Sequence, residues 1–371
     1  MKFIILKTNL KEGLFAIERA VSESITLPIL KNILLKAENG KIILIATNLE
    51  IAARHLVPGK IIEEGSLTIP FSTLYSIVTN VDVERIHVET DGMNLIVKTD
   101  TYEARIQGMK SEDFPIIPHI ESRERYIKIN STLLCDAFLK IISAAQYSEI
   151  RPEISGILFD FQLTTLKMVA TDSFRLTEKT LLEKEFEGNF ENGFRVIIPL
   201  RTINEVMRTF PADRIISLFV DSHQILFATD DHELISRIIT GKYPDYEQII
   251  PRSIESELTL NREKFVGAVK LVASFSGKVN DVKVRLGEDG KVLEVYSANQ
   301  YLGENRYLIP IKLKGSSFTE VSFNWRYLLD GLKQMQSEYF TFGISGDSKP
   351  AVLRSLEDAS YFYILMPVKT A

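Results

Sequence analysis

Apolar and polar residues alternate along many short segments of the chain, and stretches with helical spacing separate these segments. Alternation over roughly four to eight residues predicts a half-buried strand, and apolar residues three or four positions apart predict an amphipathic helix. One order of elements, a strand that runs through an Asn into a helix, occurs three times. Its copies are FIILKTNLKEGLFAIERAV from Phe3, YIKINSTLLCDAFLKIISAA from Tyr126 and ELTLNREKFVGAVKLVASF from Glu257. The chain is therefore predicted to contain an internal threefold repeat.

Each repeat carries signals for the ends of its elements. Asn9, Asn130 and Asn261 precede the helical patterns and are predicted N-caps, because an Asn side chain accepts a hydrogen bond from the first helical turn. Two strands joined by a turn follow each helix. In the first and third repeats the turns contain Asn39-Gly40 and Asp289-Gly290, in which Gly allows the positive φ of a hairpin turn.

A second helix follows a strand in each repeat and starts at Pro70, Pro199 or Asn324, which are residue types favoured at helix starts. The segments DFPIIPHIESRE and YPDYEQIIPRSIE separate the repeats and are predicted to be extended linkers, because Pro disfavours helix before it. The sequence thus predicts the α+β class, with three repeated domains that each combine antiparallel sheet and two helices. We expect these domains to lie side by side. Their predicted bounds are 1–125, 126–253 and 254–371.

The predicted helices are the positive part of an acidic chain. The formal net charge is −5, whereas the helices predicted at 9–23, 70–80, 130–149, 199–210, 261–278 and 324–335 carry −1, 0, −1, +1, +3 and +1. Their total is +3, which leaves −8 for the rest of the chain. An ordinary solvated helix surface is one explanation of so small an excess. A surface that faces nucleic acid is the other.

The dimensions of duplex DNA allow a test of the explanation that the helices face nucleic acid. If two chains closed into a symmetric ring, twelve helices spaced roughly 10 Å apart would surround a hole about 28 Å wide. Duplex DNA would pass through such a hole with room for water. A weakly positive lining would bind it in a salt-sensitive, sequence-independent way.

Composition limits the other possibilities. The chain has 371 residues, 45% hydrophobic and 25% charged, which is typical of globular domains. The chain has a single cysteine, Cys135, so it cannot form an intramolecular disulfide, and a reducing cytoplasmic compartment is expected. Cys135 is predicted to be an ordinary core residue. The apolar runs are too short for a signal peptide or a membrane span. The five His residues show no metal-ligand spacing, and TDDHEL is predicted to be a charged hairpin turn, so neither a metal nor another cofactor is expected.

The segment VATDSFRL, residues 169–176, places Asp172 beside Ser173 and raises the possibility of a nucleophile. Nucleophilic catalysis also needs a base and an oxyanion site, and the neighbouring sequence supplies no His and no Gly-rich turn. Related segments, IATNLEIA and VYSANQYL, occur at the corresponding place in the other repeats. A structural or binding role is therefore favoured over catalysis.

Together the motifs resemble the bacterial sliding clamp family, the beta subunit of DNA polymerase III. They are MKF at the start, TLPILKNILLKA at 26–37, ATNLE at 46–50, DFP at 113–115, VATDSFRL at 169–176, YPDY at 243–246 and MPV at 366–368. The resemblance runs from the first residue to the last in the family's order. It implies a head-to-tail homodimer ring of six domains that encircles duplex DNA without sequence preference.

The resemblance also implies the partners. A clamp loader opens the ring, and the replicative polymerase alpha subunit and other proteins with clamp-binding motifs attach to it, so the protein is a processivity factor in DNA replication and not an enzyme. In the family these partners insert a short, partly hydrophobic peptide between the second and third domains. The matching positions here are Ile154, Thr171, Arg175, Leu176, Pro244, Ile249, Ile364, Met366, Pro367 and Val368.

Several positions depart from the family pattern. Ser173 and Phe174 replace the usual Gly and His, and Gln248 replaces an Arg. The family's DNA-contacting Arg and aromatic residues are also replaced, by Ser24-Ile25 and Pro152-Glu153. Cations on or beside the helices are the expected substitutes, namely Arg201, Arg208, Arg262, Lys264, Lys270 and Lys278.

The ring seam is placed by family position. It is expected between the edge strand TYEARIQG, with Ala104 and Ile106, and the helix that carries Leu271 and Val272 in the other chain. Ala104 is smaller than the residue common in relatives, which predicts a looser seam. A three-domain scaffold that binds peptides without encircling DNA is the alternative function.

Overall fold

The alternating segments form strands, and all strand pairs and isolated bridges among the described residues are antiparallel. The computed structural model describes residues 1–22, 26–117, 119–120 and 122–369. By contacts the chain divides into two units. The first comprises Met1–Leu134, Phe186–Phe190 and Arg201–Ile238, and the second comprises Cys135–Glu185, Glu191–Leu200 and Ile239–Ala371.

The first unit contains a five-stranded and a nine-stranded sheet. The five-stranded sheet has the order β5 (Gly59–Glu63), β1 (Lys2–Leu6), β7 (Arg85–Asp91), β8 (Asn94–Lys98) and β9 (Glu103–Gln107). The nine-stranded sheet has the order β14 (Phe186–Gly188), β10 (Ile127–Asn130), β16 (Ile215–Val220), β17 (Gln224–Ala228), β18 (His232–Arg237), β4 (Ile51–Val57), β3 (Lys41–Thr47), β2 (Asn32–Glu38) and β6 (Gly65–Pro70).

The second unit contains a nine-stranded and a four-stranded sheet. The larger has the order β15 (Phe194–Pro199), β11 (Gly156–Phe161), β12 (Thr165–Thr171), β13 (Arg175–Leu182), β27 (Tyr361–Leu365), β26 (Ala351–Ser355), β25 (Tyr339–Ile344), β19 (Ser256–Asn261) and β23 (Lys312–Gly315). The smaller has the order β22 (Gly303–Pro310), β21 (Val292–Asn299), β20 (Asp281–Leu286) and β24 (Glu320–Asn324). Each sequence repeat thus divides its strands between two sheets.

Each repeat has two α-helices, as predicted, although most are shorter than the periodicity indicated. They are α1 (Lys7–Ile17), α2 (Phe71–Asn80), α3 (Ser131–Ile141), α4 (Leu200–Thr209), α5 (Arg262–Ala273) and α6 (Trp325–Lys333). Their apolar stripes are buried, for example Phe265, Val269 and Val272 in α5. None of the described helices is long and apolar enough to cross a membrane.

The predicted caps are confirmed in two of the three first helices. Asn130 Oδ1 accepts from the backbone N–H of Thr132 at 2.9 Å, and Asn261 Oδ1 accepts from that of Lys264 at 3.1 Å. The Asn9 prediction is wrong, because α1 starts at Lys7 directly after β1 and Asn9 is already helical. Its side-chain amide donates instead to the carbonyl of Pro58 at 3.3 Å.

Other local predictions have mixed outcomes. Asn39 and Gly40 both have positive φ, 50° and 72°, which confirms the hairpin turn. The linker YPDYEQIIPRSIE is not wholly extended, because it contains the 3-10 turn Tyr246–Ile249. Cys135 is half-buried rather than part of the core, and burial raises the pKa of its thiol. The charged turn TDDHEL ends at His232, which begins β18 and is fully buried.

Candidate functional site

The residues of the predicted groove lie around the pairing of β13 with β27. This antiparallel ladder places Leu176 opposite Ile364. Beyond its end, the backbone N–H of Met366 donates to the carbonyl of Phe174 at 2.8 Å. The segment after β27 therefore continues beside the turn that precedes β13.

The turn at residues 172–174 is held by its own side chains. Asp172 Oδ1 accepts from the backbone N–H groups of Phe174 and Arg175 at 2.9 and 3.0 Å. Thr171 Oγ1 donates to the carbonyl of Arg175 at 2.7 Å. Ser173 has φ 78°, a left-handed conformation that is uncommon for a residue with a side chain. These bonds stabilise a fixed turn that presents Phe174 to solvent.

Arg175 is held within the protein by acidic and aromatic neighbours. Its Nε donates to Asp172 Oδ2 at 2.9 Å, and its Nη1 donates to Asp330 on α6. The guanidinium also lies over the ring of Tyr327, 4.2 Å from the ring centre. Arg175 therefore fixes α6 against β13, and most of its charge is already compensated.

The ten predicted groove residues fall into two groups. Ile154, Thr171, Leu176 and Ile364 are buried, and the last two belong to a core cluster with Tyr243 and Tyr246. Burial raises the pKa of both tyrosines, so they stay neutral at physiological pH. The remaining six are at least partly exposed: Arg175, Pro244, Ile249, Met366, Pro367 and Val368.

This division defines what the site can do. Ile249 is 41% exposed, so it is not a core residue, whereas Leu176 is 1% exposed and supports the wall from beneath. Partly exposed apolar side chains beside a hydrogen-bonded backbone turn suit the capture of an extended peptide with apolar side chains.

Catalysis by Asp172 and Ser173 is not supported by their contacts. Ser173 Oγ accepts from Arg151 Nη1 at 2.9 Å, so a cation rather than a base faces it. Both Asp172 oxygens are occupied by the turn and by Arg175. Within the part of the chain that the structure describes, no group of three or more His, Cys, Asp or Glu side chains could hold a metal ion.

The predicted DNA-facing cations differ in whether their side chains already form hydrogen bonds within the chain. Arg208 donates to the Phe15 carbonyl at 3.1 Å and to Glu205 at 3.0 Å. Arg201 donates to the Arg19 carbonyl at 3.1 Å. Arg262 donates to the Ser337 carbonyl at 3.1 Å. All three arginines are therefore partly engaged. The side chains of Lys264, Lys270 and Lys278 are exposed.

The helices remain the positive part of the chain at their observed bounds. Helices α1 to α6 carry +1, 0, 0, +1, +2 and +1, a total of +5 against the chain's −5. Lys278 lies beyond the end of α5 and does not contribute. Ser24 and Ile25, at the altered DNA-contact position, lie outside the described residues.

The predicted seam residues lie at an edge strand and on a helix. Strand β9 is an edge of the five-stranded sheet and carries Ala104, which is half-buried, and Ile106, which is buried. On α5, Leu271 is 56% exposed, but Val272 is fully buried and offers no surface to another chain. Helical spacing separates these two neighbours, because Val272 continues the stripe of Phe265 and Val269 and Leu271 lies beside it.

The sequence did not identify several residues of the site. Asp330 and Tyr327, which hold Arg175, lie on α6 and become neighbours of β13 only through folding. Arg151, which donates to Ser173 in the turn, precedes Pro152 in the sequence, and no local signal indicates this bond. The helix predicted at 324–335 contains Asp330, but that prediction carries no information about the partner of this residue.

Family models cover nearly the whole chain. The DNA polymerase III beta subunit models match as the N-terminal domain over residues 1–118, the central domain over 128–245 and the C-terminal domain over 247–369. The three matches occur in the family's order, and each falls on one sequence repeat.

Full-length relatives carry the corresponding name. The beta sliding clamp of Chlamydia muridarum is 25% identical over 373 residues, covering 100% of this chain and 99% of the relative. The beta sliding clamp of Bacillus subtilis is 24% identical over 383 residues, covering 100% of both chains.

Solved structures show the same fold. The DNA polymerase sliding clamp from Bacillus subtilis superimposes with a TM-score of 0.94 at 23% identity, covering all of both chains. The DNA polymerase III subunit beta from Pseudomonas aeruginosa gives a TM-score of 0.93 at 24% identity, also covering both chains completely.

Proposed function

Because the chain belongs to the DNA polymerase III beta subunit family, we propose that it is a sliding clamp. In this role it encircles duplex DNA and tethers the replicative polymerase and other partners, and it acts on the chromosome in the bacterial cytoplasm as a non-catalytic accessory subunit. The observation that carries the proposal is the match of three successive domain models in order along one chain.

The proposed ring is a homodimer closed between the first repeat of one chain and the third repeat of the other. Two sheet edges support it, β9 in the first unit and β22 in the second, because exposed edges are normally covered. A cavity of about 380 Å³ beside β9 is lined by Ile77, Val81 and Tyr102 among others. We infer that Leu271 of a second copy inserts into this cavity.

The mass in solution tests the ring. Light scattering should give twice the 42.2 kDa of the chain, and Leu271→Asp should give a monomer with the circular dichroism spectrum of the folded wild type. Leu271 is the better site for this test than Ile106, since Ile106 is buried and its replacement by Asp would also unfold the protein. A wild-type monomer at every concentration would contradict the ring.

Topological retention tests encirclement directly. After loading by the clamp loader, the protein should stay on circular DNA at high salt and leave the same DNA once it is linearised. Salt weakens contacts with phosphates but cannot release a closed ring. A scaffold that does not encircle DNA would be lost from both forms.

Partner binding is proposed at the groove around β13 and β27. Its accessible apolar residues, including Ile249 and Met366, would bury the side chains of a partner peptide. Arg201, Lys264, Lys270 and the other helix cations are the proposed sequence-independent DNA contacts. Ile249→Ser should weaken peptide binding at least about tenfold without affecting dimerisation, because Ile249 is exposed and belongs neither to β9 nor to α5, which carry the proposed seam residues.

A further inference from the structure

A turn with the structure of the turn at the groove also lies where β18 of the second repeat pairs with β4 of the first. Thr47 Oγ1 donates to the carbonyl of Ile51 at 3.0 Å. Asn48 Oδ1 accepts from the backbone N–H groups of Glu50 and Ile51 at 3.0 and 2.9 Å. Leu49 has φ 74°. Each of these features has its equivalent in the turn at the groove, so the chain builds the same turn twice.

The strand partners of the two turns also correspond. Ala52 lies opposite Ile235 in the ladder of β4 with β18. At the groove the same two positions are Leu176 and Ile364. Two residues further along β18, the N–H of Arg237 donates to a carbonyl of the turn at 3.0 Å, and the same bond closes the turn at the groove. The two places therefore differ mainly in side chains, and Ala52 is much smaller than the leucine that it replaces.

A cavity of about 200 Å³ lies beside the small side chain of Ala52. We name it the junction cavity. An apolar cavity of about 150 Å³ already accepts a benzene molecule, so this one is large enough for a Leu or Phe side chain. Its apolar lining includes Ile45, Ala52, Ile117, Ile120, Leu226 and Ile235.

The junction cavity is continuous with the surface of the turn. A small recess lined by Leu49 and Gln224 shares Ala52 and Ile235 with the cavity. Leu49 is 44% exposed. The opposite wall is held in place, because Gln224 Nε2 donates to the carbonyl of His119 in the linker at 3.0 Å. A segment that lies on the turn can therefore place a side chain in the cavity.

Charge indicates which ligand the junction cavity fits. Glu233 Oε1 accepts from Arg123 Nη1 at 2.8 Å, and Glu233 Oε2 lies 3.5 Å from Arg54 Nη1. Two guanidinium groups thus share one carboxylate, which leaves the described lining with a net charge of +1 when His119 is neutral. The side chains of Arg123 and Arg54 are 47% and 37% exposed, so a ligand can reach them. This arrangement favours a carboxylate next to the apolar group.

We propose that the junction cavity is a second partner-binding site, which takes up a Leu or Phe side chain of a partner protein next to an Asp or Glu of the same segment. This inference rests on the proposed function, because it treats the turn at the groove as an element that binds partners. The apolar side chain fills the cavity, and the carboxylate pairs with Arg123 and Arg54. A partner with one segment for each site gains affinity because its second binding step is intramolecular.

Binding of a short peptide to the full-length protein tests the site. The probe is an acetylated and amidated peptide of Gly and Ser that contains para-fluorophenylalanine followed by aspartate, and its fluorine NMR signal is followed as protein is added. Wild type should bind it with a Kd of about 1 mM. Ala52→Leu should weaken binding at least about tenfold, because the larger side chain occupies the cavity. Ala52→Val should give a smaller loss.

Both variants should keep the circular dichroism spectrum of wild type, since Leu is the residue at the corresponding position 176. Arg123→Gln should weaken binding of the aspartate peptide about threefold to tenfold and leave binding of a matched asparagine peptide unchanged. The control is Arg214→Gln, which removes an exposed cation of the same unit that does not line the cavity. It should bind both peptides as wild type does.

The outcomes separate the junction cavity from the groove. Binding that is lost in Ala52→Leu and kept in Ile249→Ser supports the second site. Binding that is kept in Ala52→Leu and lost in Ile249→Ser assigns the probe to the groove and overturns the second site. Failure of wild type to bind the probe also overturns it, but leaves the groove standing, because partner peptides test the groove. Equal binding of the aspartate and asparagine peptides to wild type would overturn the acidic preference.

Discussion

Two strand pairings join neighbouring repeats, and they differ in the chemistry of their buried side chains. Strand β18 of the second repeat pairs with β4 of the first, and β13 of the second repeat pairs with β27 of the third. In the first pairing His232 lies opposite His55 with ring centres 5.4 Å apart, and the Phe210 ring is 4.9 Å from His232. The Nδ1 atoms of both histidines are buried and have no partner among the described residues.

The second pairing is held by charges. Lys179 Nζ lies 3.1 Å from Asp358 and also bonds Ser360, and Lys140 Nζ lies 3.0 Å from the same carboxylate. Nearby, Arg175 joins Asp172 to Asp330. The first pairing also carries an ion pair, Arg54 with Glu233 at 3.5 Å, but these residues lie on the face opposite to the histidines. Its histidine face is neutral and buried, whereas the second pairing leaves a turn and a chain end accessible. The same ladder geometry thus gives a structural joint in one place and the wall of the proposed groove in the other.

The largest expected effect comes from removing the shared carboxylate. Asp358→Ala leaves the buried amino group of Lys179 with Ser360 alone, whereas Lys140 keeps Asp136 at 3.1 Å. Because the Asp358 side chain is 32% exposed, the loss should be about 3 kcal/mol, at the lower end of the cost of breaking a buried pair. Urea unfolding followed by the fluorescence of Trp325, the single tryptophan of the chain, reports on this unit. Asp347→Ala, at an exposed site in the same unit, is the control and should change stability by less than about 0.5 kcal/mol. Equal behaviour of the two variants would show that the charges do not hold the joint.

A helical glycine packs on each joint, which allows a matched comparison. A Cβ on Gly331 of α6 would meet the buried Tyr363 ring at 2.7 Å, and one on Gly13 of α1 would meet Val57 Cγ2 at 2.6 Å. Gly331→Ala should cost about 2–3 kcal/mol because the ring cannot move, and Gly13→Ala about 1 kcal/mol because smaller groups can adjust. Gly267→Ala meets nothing within 4 Å and should stabilise the protein by about 0.5–1 kcal/mol. Thermal unfolding of the three variants checks this order. A smaller loss of stability in Gly331→Ala than in Gly13→Ala would contradict it.

The two joints should respond to acid in different ranges. Burial, with a further contribution from His55, holds the pKa of His232 at about 3, well below its ordinary 6.5. Burial also lowers the pKa of His55, although the negative charges of Asp231 and Glu12 raise it. The positive charge of Arg208 lowers the pKa of His232 further. The unfolded chain therefore binds protons that the folded chain does not, so stability falls as pH drops from about 6.5 toward 3.

From pH 7.5 to 5.5 the loss from His232 alone should be about 1.4 kcal/mol. Urea unfolding followed by circular dichroism measures it, and His232→Gln should flatten the pH dependence while the exposed His87→Gln should not. The pKa of Asp358 is lowered despite burial, by Ser360, Lys140 and Lys179. Its contribution is present above about pH 4 and lost only below it, so the charged joint should be unaffected between pH 7.5 and 5.5. An unchanged slope in His232→Gln would contradict this prediction.

The smallest expected effect separates a true cap from an apparent one. Asn261→Ala removes the bond to the Lys264 N–H and should cost about 1 kcal/mol. Asn9→Ala removes only an exposed bond to the Pro58 carbonyl and should cost less than about 0.5 kcal/mol. Chemical denaturation of both variants checks the difference. Equal losses would mean that Asn9 stabilises α1 in a way that the contacts do not reveal.

Features that depend on neighbouring residues were predictable from the sequence. The caps at Asn130 and Asn261 and the Asn39-Gly40 turn follow from local side-chain chemistry. Asn9 looked identical in sequence, but the end of β1 at Leu6 fixes where α1 starts, and pairing with distant strands sets that end.

Features that depend on pairing across repeats were not predictable. His232 follows two aspartates and suggested a solvated turn, yet β4 covers it. In the proposed groove, motif resemblance named chain segments that lie next to each other, but nothing local distinguishes buried Leu176 from accessible Met366. The exposure of a side chain depends on which strand pairs with its own strand. Alternation in the sequence shows which side chains share a face of a strand, but it does not show which strand lies beside it.

The division of the middle repeat between two sheets has a practical consequence for dissecting the protein. A fragment cut after residue 125 would lose the pairing of β4 with β18, and one cut after residue 253 would lose the pairing of β13 with β27. Each cut uncovers a strand that carries buried apolar side chains, such as Leu234 or Leu176, and a bare edge of this kind recruits other chains. Isolated repeats are therefore expected to aggregate on expression, and the shortest well-behaved form of this protein is the whole chain.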